Sequence, residues 1–235
     1  MAAAFVQGKS AVAVGPVSVI APTFNSAVAL GELICVQVGW RESGGLTRTI
    51  ASVVGGTGNT YTSQTAFDVG GTLRMQTWWV INQHNAAHTI TVTMSGSVSD
   101  RINCYISTAS GVAATSPHLD DATGSTSSGS SCNSGDVITD ADGAILFSQV
   151  MVTVNRTYTQ PTGYTGIGSA LSRGWAGYRE VDPAATYSAI WNWTGGSTGA
   201  IAMHNAFRAE PPAPPAAANR ILNILASRGI NRGLN

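Results

Sequence analysis

Several residue types stand where chemistry could start. The four histidines are His84, His88, His118 and His204. His84 and His88 have the i, i+4 spacing of a metal pair on one helix face, but the Asn-Ala-Ala between them reads as a turn between strands, where that spacing brings no two imidazoles together. His204 lies in a strand-like run beside Met203 and reads as a satisfied sheet residue. Asp136, Asp140 and Asp142 precede Gly143 faintly in the manner of a calcium loop, without its interleaved ligands and terminal Glu. Asp-Ala-Asp-Gly before an apolar run is more simply a turn into a strand. Asp120, Asp121 and Glu180 are the carboxylates from which a glycoside-cleaving pair could be drawn, and nothing in their spacing selects two of them.

The stretch SVVGGTGNTYTS, Ser52 to Ser63, resembles a phosphate-binding loop in its glycines alone. It has no lysine, and the β-branched and aromatic residues after Gly58 favour a strand over the helix N-terminus such a loop requires. A turn between two strands is expected. No catalytic residue, metal ligand or cofactor is assigned.

Cys35, Cys104 and Cys132 are odd in number and form no C-x-x-C pair, which argues against a zinc site and a disulfide framework. The first two sit in apolar runs and read as core; Cys132, in a Ser/Gly stretch, reads as an exposed thiol. Trp78, Trp191 and Trp193 are the candidates for glycan contact, because tryptophan exposed on a sheet face stacks on sugar rings. Core packing is the competing role, and the alternation buries one of Trp78 and Trp79 and exposes the other. The sequons at Asn155 and Asn192 would matter only in a eukaryotic secretory setting.

These residues need elements to hold them. The 235-residue chain is 43% hydrophobic but only 10% charged, so Ser, Thr, Asn, Gln and Gly must cover its surface. With no net charge, nothing in the global field draws it to nucleic acid or to an anionic membrane. No apolar run approaches the roughly 20 residues of a membrane helix. The first residues carry no basic group before their apolar stretch, which Lys9 interrupts, so they do not read as a secretory signal.

Period-2 alternation dominates. It puts Ile34, Val36, Val38 and Trp40 on one face; Leu73, Met75, Thr77 and Trp79 on another; then Ile90, Val92 and Met94, and Ile102, Cys104 and Ile106. AILFSQVMV reads as a near-continuous buried strand, TYSAIWNW alternates through Tyr187, Ala189, Trp191 and Trp193, and GAIAMHNAFR closes the series. About ten strand candidates and no helix before residue 211 predict an all-β fold, an antiparallel two-sheet sandwich of jelly-roll type over residues 1–209. Ser107 to Asp136 shows no periodicity and is expected to be a long crossover loop over the sandwich surface, ordered by another subunit.

The end of the chain differs in kind. Residues 210–218 read as a Pro/Ala-rich, polyproline-like linker. Asn219 then caps a short amphipathic helix within 219–235, with Ile221, Leu222, Ile224 and Leu225 as its apolar stripe and Arg220, Arg228 and Arg232 as its charges. So short a helix folds when docked, on its own sandwich or on a partner.

GELICVQVGW, then GNTY at Gly58 to Tyr61, the aromatic strand with Trp78 and Trp79, TITVTMS, and Ala206-Phe207-Arg208 together resemble a β-sandwich module of structural proteins in tailed bacteriophages. The resemblance covers roughly residues 1–210 and carries no catalytic residue. It implies a virion component assembled in the host cytoplasm: a capsid decoration or cement protein, a head fibre, or a minor tail protein. It further implies self-association, as a trimer on the capsid, contact with the major capsid protein, and, for a tail location, a host surface glycan. Where the family carries Asp before the Gly-Asn turn, this chain has Gly55-Gly56-Thr57, so no metal site is carried over.

Overall fold

The computed structural model describes residues 1–84, 87–115, 118–168 and 173–211, and the regular structure there is entirely β. The expected linker beyond Pro211 and the expected helix with Arg220, Ile221, Leu222, Ile224, Leu225, Arg228 and Arg232 lie outside the described residues.

The first half contains β1 (Ala4–Val14), β2 (Val17–Ile20), β3 (Thr23–Val28), β4 (Leu33–Arg41), β5 (Ile50–Val54), β6 (Thr62–Ser63), β7 (Phe67–Val69), β8 (Leu73–Ile81), β9 (Ala87–Thr89), β10 (Thr91–Val98) and β11 (Arg101–Ser110). The second contains β12 (Leu119–Ser127), β13 (Ser131–Ile138), β14 (Ala144–Val152), β15 (Thr157–Thr159), β16 (Thr165–Gly166), β17 (Gly174–Val181), β18 (Thr186–Thr194) and β19 (Ala200–Phe207).

These strands form five antiparallel sheets where two were expected, because one connection pattern occurs twice. In the first half an inner sheet runs β1-β11-β4-β8 with β6 and β7 at its edge, and an outer sheet runs β2-β10-β5. In the second half the inner sheet is β12-β19-β14-β17-β16 and the outer one β13-β18-β15. In both, the first strand lies beside the last and the second beside the last but one. A small β3–β9 sheet belongs to the first half alone. The match makes GELICVQV of β4 the counterpart of GAILFSQV of β14, so Gln37 corresponds to Gln149.

The two inner sheets pack face to face. Leu33, Cys35, Trp79 and Tyr105 of the first meet Ile145, Phe147, Ala176 and Phe207 of the second in one buried cluster. Leu73 and Met75 meet Met151, Ile201 and Met203 in another. Both contacts and crowding are reciprocal. A Cβ on Gly39 would lie 2.9 Å from Met151 Sδ, and those two residues are counterparts. Gly8 of β1 sits against Ile167, ahead of β17, while Gly124 of β12 sits against Phe67, ahead of β8. The halves therefore pack with the exchange pattern of a two-fold dimer.

The other faces of the inner sheets complete a core in each half. Ile34, Val36, Val38 and Trp40 pack with Ile90, Val92 and Met94; Val150, Val152 and Ala202 pack with Cys132, Trp191 and Trp193. Inner strands covered on both sides lose the polar alternation of a half-exposed strand. Every residue of β14 and β19 is accordingly buried.

The expected crossover between Ser107 and Asp136 is instead largely the hairpin β12–β13. β12 pairs with β19 from Leu119↔Phe207 to Ser127↔Ala200, and β13 with β18. Its Ser, Thr, Gly and Asp side chains carry no apolar alternation, so the order comes from the ladder and not from a side-chain pattern. The glycine-rich stretch does turn the chain between β5 and β6, with Gly56 and Gly58 at positive φ. A Cβ on Gly58 would fall 2.5 Å from His84 Nε2, so the close approach of that imidazole also requires glycine.

One ion cluster ties the halves. Asp100, in the turn between β10 and β11, accepts from Arg41 of β4 and, at 2.9 Å, from Arg173 just before β17; Arg101 lies 3.8 Å away. Replacing Asp100 with Ala leaves the guanidiniums facing one another. The side chains are 18–24% exposed, so the expected loss is about 2–3 kcal/mol, below the value for a fully buried pair. Urea unfolding would measure it, and added NaCl should shrink it by screening the repulsion. A loss within error of zero would show that the cluster does not hold the halves together.

Candidate functional site

Chain entry and exit meet at one corner. The Met1 amino group donates to the Glu210 carbonyl at 2.8 Å, the Ala3 amide to Gly143 O at 2.7 Å, and the Glu210 amide to Gly111 O at 2.7 Å. Between Met1, the Asp140–Gly143 turn, Asp182 and the Arg208–Pro211 strand end lies a cleft of about 530 Å³ with mostly apolar walls. Gly143, at φ +77°, allows the turn to close on Ala2, whose Cα would lie 3.0 Å from a Cβ there. Arg208 donates to Asp120 at 2.8 Å and to Asp140 at 3.2 Å, and the Asp120 hydrogen bond raises the affinity of its guanidinium for the proton. Asp142 accepts from the Ala184 amide and Glu210 from the Ala114 amide. Four acidic residues, Asp140, Asp142, Asp182 and Glu210, thus line the cleft together with two cations, the Arg208 guanidinium and the Met1 ammonium. Such a cleft suits an apolar segment that carries positive charge.

The carboxylates singled out in the sequence are spent separately. Asp120 holds Arg208 and the Asp140 amide; Asp121 accepts from the Ala122 and Ile138 amides; Glu180 accepts from the Phe5 amide at 2.8 Å. Asp136 is exposed on β13, apart from the Asp140–Asp142 turn. Among the described residues no group of three or more His, Cys, Asp or Glu side chains stands ready to hold a metal ion. His84 and His88 are exposed, and His118 Nδ1 lies 2.7 Å from Ala113 O.

Two readings of single residues are corrected. Cys132 is buried, not exposed, because β13 turns it inward beneath Trp191 and Trp193; burial raises its thiol pKa, as it does for Cys35 and Cys104. Trp191 and Trp193 are 0% and 4% exposed, so neither meets a glycan, and Trp191 Nε1 donates to Ser148 Oγ at 2.9 Å. Their own alternation buries them: the outward residues of β18 are Thr186, Ser188, Ile190, Asn192 and Thr194. Trp78 is half-buried against the first core, and Trp79 is its buried neighbour. The acidic corner was missed because its members are scattered along the chain and only the β14–β17 and β14–β19 ladders bring them together.

Comparison with protein-family models, with curated proteins and with solved structures finds no match.

His204, fully buried on β19, is bracketed by the Tyr164 hydroxyl at 2.5 Å from Nε2 and Gly135 O at 3.3 Å from Nδ1. Both contacts suit a neutral ring that accepts from Tyr164 and donates to Gly135. Burial pushes its pKa down to about 4. A depressed histidine stabilises the fold fully above its unfolded value near 6.5 and loses that contribution as pH falls toward 4. About 3 kcal/mol should disappear over this window. In His204→Gln, urea unfolding at a series of pH values should show most of that slope gone, whatever the loss at pH 7; an unchanged slope would assign acid sensitivity to other groups.

Proposed function

We propose that this chain is a non-enzymatic structural component of a tailed-phage particle, a decoration or cement protein that stabilises a shell through subunit contacts. On this reading each half is a jelly roll. The strand order in both halves, first beside last and second beside last but one, supports that assignment. The observation that carries the function is the acidic, apolar-walled corner at the point where the basic segment 212–235 begins. The carboxylates line a cleft on one molecule, and Arg220, Arg228 and Arg232 accompany Ile221, Leu222, Ile224 and Leu225 in the sequence that follows. Charge complementarity of this kind favours exchange of segments between neighbours, with the double sandwich as the rigid block being clamped.

The remaining polar inventory agrees. Arg74 is held by Asp68, Glu42 accepts the Thr47 and Arg48 amides, and His204 is enclosed by Tyr164 and Gly135. Each is a structural contact. The partners on this reading are further copies of the chain, as a trimer, and the major capsid protein.

The test compares the full chain with a chain ending at Glu210, each with and without assembled shells. Light scattering should show the full chain on the shells and the shortened chain bound at least about tenfold more weakly, a difference of 1.4 kcal/mol. Hydrogen exchange should show protection gained over 219–228 on binding. Equal binding by both chains would remove the segment from the clamp, and binding by neither would remove the shell from the function.

A further inference from the structure

We propose that a groove on the outer sheet of the second half binds a carboxylate-bearing saccharide, with Arg179 as the residue that recognises the carboxylate. The groove, of about 660 Å³, runs between the Thr159–Thr162 turn and the outward face of β18. Its lining contains no acidic side chain and a single basic one, Arg179.

Arg179 stands apart from the other arginines among the described residues. Arg41, Arg101 and Arg173 surround Asp100, Arg74 holds Asp68, Arg208 holds Asp120, Arg48 reaches Glu42 and Ser97 O, and Arg156 donates to the carbonyls of Asn155, Gly196 and Ser197. The guanidinium of Arg179 instead lies over the ring of Tyr187, 5.0 Å from its centroid, and no carboxylate or carbonyl of the described residues is paired to it. Tyr187 is fixed in turn by donating its hydroxyl to Pro183 O at 2.5 Å. A Cβ on Gly163, which has φ +82°, would come 3.2 Å from Arg179 Cζ, so the turn also packs against the guanidinium. The fork is therefore held in place while its donors remain unspent. Planar donors of this kind match a carboxylate bidentately.

The rest of the lining favours a sugar over a peptide. Thr159, Thr186 and Ser188 supply hydroxyls, Asn192 an amide, and Ile190, 47% exposed, an apolar patch for the C–H face of a ring. Adjacent hydroxyl and amide groups pair with a polyol along its length, whereas an acidic peptide would call for further cations. The acid nearest in register, Asp136, lies opposite Ser188 on β13, the side of β18 away from β15 and the turn. This site does not depend on the shell reading. A chain that binds shells and no saccharide overturns the groove alone, and the reverse result overturns the clamp alone.

The experiment titrates the full chain with a glucuronate-containing tetrasaccharide and with a sialylated trisaccharide, followed by calorimetry and amide chemical shifts. The methyl esters of both serve as neutral probes, and a tetraglutamate peptide as an acidic one. The expected result is binding of at least one free acid, shifts centred on Thr159–Thr162 and β18, and at least about tenfold weaker binding of its ester, the value of one charge-assisted bidentate contact. Arg179→Gln should weaken the acid to the level of the ester, Arg179→Lys should recover part of the loss, and Arg156→Gln should leave it unchanged. Equal affinity for acid and ester, no binding of either acid at the highest soluble concentration, or tighter binding of the peptide would each overturn the proposal. Chemical shifts outside the groove that match the wild type would show that the Arg179 variants remain folded.

Discussion

Everything in this molecule depends on one contact, the face-to-face burial of two inner sheets. A sheet whose second face meets water can satisfy its outward side chains cheaply, but β4, β11, β14 and β19 have no such face. Their residues are mostly apolar, small or hydrogen-bonded on both sides, and the buried amides of Gln37, Asn103 and Gln149, with no hydrogen-bond partner among the described residues, are the exceptions. Burial on both faces accounts for Gly39 opposite Met151, for the Thr77–Asn205–Gln64 chain of hydrogen bonds that crosses between halves at 2.9 and 2.5 Å, and for the exchange-symmetric contacts of β1 and β12. The outer sheets are left to cover the two cores and present threonine, serine and asparagine to solvent.

Charge is used sparingly and locally in such a body. With 10% charged residues, most ionisable side chains have a structural contact to make, and the fold spends them at junctions. Asp100 joins β10, β4 and the approach to β17; Asp120 and Asp140 bracket Arg208 where β19 ends. Deviations from this economy stand out against it. The corner near Met1 has an excess of carboxylates, and the β18 groove has a guanidinium with no anion. Both are surface concavities, and both lie in the second half of the chain or at its junction with the first residues.

Much of the fold was legible in the sequence and its doubling was not. Alternation identified the inward faces of β4, β8, β10 and β11, because each packs an apolar row on a core. It also marked AILFSQVMV as a near-continuous buried strand. It could not show that the strands belong to two sandwiches, since strand periodicity is the same in either, and the shared residues of GELICVQV and GAILFSQV are few. It missed β12 and β13 because their partners, not their side chains, order them. Cys132 was misplaced, and of the two roles open to the β18 tryptophans core packing holds, for related reasons. A Ser/Gly-rich strand hides which cysteine points inward, and a tryptophan whose indole finds a buried acceptor, as Trp191 finds Ser148, has no need of the surface. The members of the acidic corner and of the groove carry no local signature, because only the ladders bring them together.

The meeting of residues 1 and 210 at one corner has a topological consequence. A body whose path opens and closes at the same point behaves as a closed loop with a single gate, so its ends could be joined and new ones cut elsewhere without reordering any sheet. The same geometry means that both ends of the described β body leave it from one vertex.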